Sequence, residues 1–118
     1  MDTKIKNDSN LNLDGTGLIG YLEITYQNLV SLFGEPTKGG GYKTDAEWHL
    51  KTPNGVISIY NYKDGRNYLG DKGKNAENIT DWHVGGSNKE AYDFIVTYIK
   101  KSHELVDNIY IKNGVTKN

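Results

Sequence analysis

The 118-residue sequence has no cysteine, two prolines, one methionine and one arginine. Without cysteine there are no disulfide frameworks, thiolate metal sites or cysteine nucleophiles. No apolar run approaches the roughly 18–20 residues that span a bilayer. The N-terminus also lacks the apolar core of a signal peptide. The expectation is a cytosolic chain without membrane contact, in which the sequon at Asn78-Ile79-Thr80 carries no meaning. The formal net charge is −1 and the pI is near 6.3, which argues against general nucleic-acid binding, since that normally shows a clustered basic excess. The histidines His49, His83 and His103 are scattered, and no spacing matches a zinc site. No serine has the context of a nucleophile elbow. Asp45 and Glu47 share a strand face as an acid–base pair, but such neighbours read first as solvated charges. The expectation is a non-enzymatic protein with no metal and no cofactor.

The length suits one domain with one modest core. Residues 1–14 are polar and aperiodic and read as a disordered tail. Residues 15–107 read as a single α+β domain, and 108–118 as a tail or a short edge strand. Leu18 to Ile24 is rich in β-formers. Thr25 offers an N-cap for a helix through Phe33, which Gly34 and Pro36 end. Ala46, Trp48 and Leu50 alternate with Glu47, His49 and Lys51, so one strand face is buried, and His49 and His103 fall on exposed faces. The Asn54-Gly55 pair predicts a tight hairpin turn into a return strand over Val56 to Lys63. Asp64-Gly65 predicts a second turn, Gly70 to Asn78 a loop, and Ile79 to Val84 a further strand.

Gly85-Gly86-Ser87 reads as the opening of the last helix, with Ser87 and Glu90 as a capping box. Ala91, Phe94, Ile95, Tyr98, Ile99, Ser102, Leu105 and Val106 follow helical spacing to about Asp107. The order strand, helix, hairpin, strand, helix predicts a small antiparallel sheet with helices on one face. The other face stays open unless a partner or ligand covers it.

The stretch from Lys43 to Gly86 concentrates aromatic, basic and glycine residues. Gly39-Gly40-Gly41-Tyr42-Lys43-Thr44 fails as a P-loop, because a tyrosine separates glycine from lysine and a strand follows. At Gly85-Gly86 a helix start would offer free amides to an anion. Tyr60 and Tyr62 alternate with Ile57 and Ile59 and so fall on the face away from the core, where a tyrosine ring can stack on a base. Tyr68 and Trp82 extend the aromatic set, and His83 precedes the glycine pair. Lys43, Lys63 and the lone Arg66 supply positive charge, and a guanidinium suits bidentate recognition of phosphate. The candidate ligand-binding set is therefore Lys43, Tyr60, Tyr62, Lys63, Arg66, Tyr68, Trp82, His83, Gly85 and Gly86.

Three of these segments carry a family likeness: Lys43-Thr44-Asp45-Ala46-Glu47-Trp48, Ile59-Tyr60-Asn61 and Trp82-His83-Val84-Gly85-Gly86. From about Gly17 to Tyr98 the chain resembles small accessory proteins encoded by tailed bacteriophages and other large DNA viruses. The resemblance implies a viral accessory gene acting in the host cytoplasm. Small cytosolic proteins of that kind counter host defence by sequestering a nucleotide signal or by occluding a host protein. Sequestration of a nucleotide-derived molecule is the leading expectation. Occlusion of a host protein and a minor virion component are the alternatives, and self-association is left open.

Overall fold

A computed structural model describes residues 4–38 and 43–102. The strands are β1 (Lys6–Asn7), β2 (Gly17–Glu23), β3 (Thr37–Lys38), β4 (Ala46–Thr52), β5 (Gly55–Tyr60) and β6 (Asp81–Gly86). The α-helices are α1 (Tyr26–Phe33), α2 (Arg66–Leu69) and α3 (Lys89–Lys101). All strand pairings are antiparallel, in the order β1-β4-β5-β6-β2, with β3 also on β4. This is a small α+β fold.

Alternation on β4 and β5 sets the two faces. Trp48, Ile59 and Val84 form one cross-strand row, and Leu50 pairs Ile57 below it. All five are fully buried. Leu29 and Phe33 of α1 join Ala91, Tyr92, Ile95 and Ile99 of α3 in that same core. Phe33 meets Tyr98 at 5.7 Å between ring centroids, so the two longer helices share one side of the sheet. The indoles of Trp48 and Trp82 pack edge to face at 5.3 Å. Each buried indole nitrogen donates to a carbonyl, Trp48 to Gly34 and Trp82 to Ile24. These bonds satisfy groups that would otherwise be orphaned in the core.

The expected caps of α1 are present. Thr25 accepts from the Asn28 amide, and the Gly34 amide closes the helix on Val30. Other expectations need correction. Residues 4–14 are not a detached tail: Ile5 is 1 % exposed and β1 pairs with Leu50 and Lys51. One buried isoleucine and one short bridge anchor a segment whose polar composition hides them. The hairpin loop is Pro53-Asn54, flanked by the Thr52–Gly55 pair, and the positive φ (141°) falls on Gly55 rather than Asn54. β5 ends at Tyr60, so Tyr62 lies beyond the strand. The expected loop at 70–78 is not plain, since two 3-10 turns, 70–72 and 76–78, lie within it, and α2 precedes it at Arg66–Leu69.

The largest correction concerns Gly85 and Gly86. They belong to β6, paired on both sides, with β5 and with β2. The cap of α3 is Asn88, which accepts from the Ala91 amide, while the Ser87 hydroxyl accepts from the Val56 amide. The Ser87–Glu90 capping box does not form. On α3, Tyr92 and Val96 are buried, whereas Phe94 and Tyr98 pack at the margin. Residues 39–42, His103, the helix continuation to Asp107 and the 109–111 strand lie outside the described residues.

Candidate ligand-binding site

On the face away from α1 and α3, the strand register aligns Glu47, Tyr60, His83 and Tyr21 in one row. His83 is the hub. Its ring lies 5.1 Å from Tyr21 (edge-on), 5.7 Å from Tyr60 and 5.2 Å from Tyr62. Tyr62 reaches this row from just past the end of β5. The Lys63 ammonium sits 5.2 Å from the Tyr62 ring and 5.5 Å from that of Tyr68, within range of cation–π attraction. Tyr62 and Tyr68 are each 40 % exposed. Burial, then the neighbouring Glu47, Tyr62 and Tyr21, push the Tyr60 phenol above its ordinary pKa of 10.0.

The loop that carries Tyr62, Lys63 and Tyr68 is fixed by a buried amide. Asn61 is fully buried; its oxygen accepts from the Asp45 and Ala46 amides. Its nitrogen donates to Asp45 Oδ1 and to Asp64 Oδ1, each at 3.0 Å. Asp45 Oδ2 in turn accepts from the Asn67 amide, and the Asn67 side chain donates to the Thr44 carbonyl. The Lys63 amide donates to the Lys43 carbonyl at 2.8 Å. Asp45 is therefore a structural brace for the loop, and Glu47 is bonded to Thr44 Oγ1 and His49 Nε2. Both carboxylates are held by these bonds rather than left as solvated charges.

The predicted residues thus divide. Tyr60, Tyr62 and His83 meet directly, and Lys63 and Tyr68 join them through the lysine ammonium. Lys43 stands at the base of the same loop. Arg66 is exposed at the start of α2. Gly85 lies under the cluster: a methyl there would come within 2.9 Å of Ser58 Oγ and 3.6 Å of the Tyr60 ring. Its contribution is room for those side chains, not a free amide. Gly86 faces the core, where Ile19 and Ile57 fill the space beside it. Trp82 is fully buried with its nitrogen bonded to Ile24, so it cannot stack a ligand. Tyr21 was missed, because no local signal ties a β2 residue to β6.

His49 is not on an open surface. Its side chain is 13 % exposed and its Nε2 lies 2.8 Å from Glu47 Oε1. Its Nδ1 is buried without a hydrogen-bond partner. A cleft of about 630 Å³ opens elsewhere, between β1 and the α1–β3 connection, lined by Asn7, Phe33, Glu35 and Pro36 among others. Asn7 spends its amide there on the Phe33 and Glu35 carbonyls, and the cleft shares no residue with the aromatic cluster. Among the described residues, no group of three or more metal-ligating side chains converges, and no helix is long and apolar enough to cross a membrane. No protein-family model matches the chain, and no curated protein matches it either.

Proposed function

We propose that this chain is a viral accessory binding protein that sequesters a nucleotide-derived small molecule in the host cytoplasm, in service of counter-defence. The viral and counter-defence parts rest on the sequence resemblance. The ligand part rests on one observation: a braced aromatic cluster on the sheet face opposite α1 and α3, with a lysine at its exposed end. Stacking on Tyr62 supplies affinity that tolerates different bases. Lys63, Lys43 and Arg66 supply charge for phosphate. Those three cations take the whole anionic load, since the Gly85-Gly86 amides are spent in the sheet.

Titration calorimetry of the full chain against a panel of linear and cyclic nucleotides tests the reading. Micromolar binding that Tyr62→Ala weakens by roughly 1–3 kcal/mol, the range for one base–aromatic stack, supports it. No binding to any member at micromolar concentration overturns it. Occlusion of a host protein is the second reading, favoured by β2, an edge strand whose Leu18 is 48 % exposed. Strand addition would use that edge.

A further inference from the structure

We propose that the ligand is a two-base nucleotide, with its bases splayed onto Tyr62 and Tyr68 and its connecting phosphate on Lys63. This deepens the nucleotide reading and rests on it. Among the described residues, four large hydrophobic side chains are exposed: Leu18, Tyr62, Tyr68 and Leu69. Three of them belong to the eight-residue stretch around Lys63. A single ring beside a lysine would suit a mononucleotide. Here one ammonium is flanked by two half-exposed rings, 5.2 and 5.5 Å away. Those two distances add to 10.7 Å, the furthest apart the ring centroids can lie.

An ammonium in reach of two rings matches the parts of a dinucleotide, one phosphate joined to two bases. Bases in a stacked strand lie about 3.4 Å apart, and an unstacked dinucleotide spreads its bases further, so rings at most 10.7 Å apart are within reach of one base each. Exposed aromatic side chains commonly take splayed bases in this way. The backbone supports the arrangement. Lys63 has a positive φ of 62°, rare for a residue with a side chain. That turn lies between Tyr62 and the start of α2, and it is tied to Lys43 and to the Asn61–Asp45 brace. The pair of rings is therefore presented by a loop already fixed before ligand arrives, which lowers the ordering cost of binding.

The test is calorimetry with the full chain, using AMP and the dinucleotide ApA, then GMP and GpG. The expected result is at least about tenfold tighter binding of one dinucleotide than of its mononucleotide, the yield of a second stacked base. Tyr68→Ala should bring that dinucleotide down to the affinity of its mononucleotide, erasing the ratio between the two probes. Lys63→Ala should weaken the dinucleotide and flatten its salt dependence. Thermal melts of both variants report that the fold is kept, because both side chains are exposed. Equal affinity for the one-base and two-base probes, or a ratio indifferent to Tyr68→Ala, overturns the two-base assignment and leaves sequestration standing. Absence of binding by all four probes overturns this assignment, and the broader panel then decides the parent reading separately.

Discussion

Lys63 holds a left-handed backbone conformation, which costs a residue with a Cβ roughly 1–2 kcal/mol. Strain of this kind persists where the surroundings over-determine the chain, and it gathers at functional sites. Lys63→Gly should therefore raise stability by about 1 kcal/mol in denaturant melts while weakening nucleotide binding. A variant that gains stability and keeps full affinity would show that the ammonium has no part in the site. Asn61 is the opposite case, fully satisfied and fully buried. Asn61→Leu should cost about 3 kcal/mol, because two backbone amides and two carboxylates lose their partner together. Tyr60 sets an alkaline limit. Its pKa is raised on folding, so the unfolded chain releases the phenolic proton first as pH rises. The stabilisation is intact below pH 10.0, the ordinary value, and is lost above it as pH rises through the folded pKa. Unfolding titrations at pH 9 and pH 11 should show a shallower alkaline loss in Tyr60→Phe than in the parent.

At the scale of elements, α3 separates buried from marginal contacts. Ile95 is fully buried and Phe94 only half so. Ile95→Ala should cost about 3 kcal/mol and Phe94→Ala about 1 kcal/mol, as befits half of a burial term. Equal costs would mean that the helix docks in another rotation. The β4–β5 turn gives a second contrast. Gly55 carries the positive φ, and a methyl there would meet Ser87 Oγ at once, so Gly55→Ala should lower the melting temperature where Asn54→Ala leaves it nearly unchanged. Strand and helix order was legible because period-two alternation at 46–50 and the helical stripe at 91–99 are long, local signals. The fate of Gly85 and Gly86 was not. Glycine is depleted in strands, so the pair reads as a turn. Tertiary neighbours override that: Ser58 and Tyr60 take the space on one side, and Ile19 and Ile57 on the other. The same misreading produced the helix-amide anion site, whereas parity on β5 puts Tyr60 on the face away from Ile57 and Ile59, where its ring meets His83. Tyr62 joins it from beyond the strand end.

The whole molecule must also manage its sheet edges. β1 and β3 are two residues each, too short to template another chain, whereas β2 runs for seven. The Ile24 amide donates to Thr80, and antiparallel alternation then turns the backbone groups of Tyr21 and Glu23 away from β6. The Tyr92 hydroxyl reaches across from α3 and donates to the Tyr21 carbonyl at 3.0 Å. Tyr92→Phe should cost about 1 kcal/mol and promote self-association in sedimentation velocity at high concentration. A variant as monodisperse as the parent would show that this bond does not guard the edge.

The pairing of β2 with β6 also has a temporal side. Gly17 waits for Gly86, so a ribosome must deliver most of the domain before the second strand finds its partner. The β4–β5 hairpin closes over two residues and has almost no loop entropy to overcome. Folding should begin there and end with β2, the slow, long-range step. Throughout synthesis the chain would carry an unpaired N-terminal strand, which makes the nascent protein, rather than the finished one, the form most dependent on chaperones.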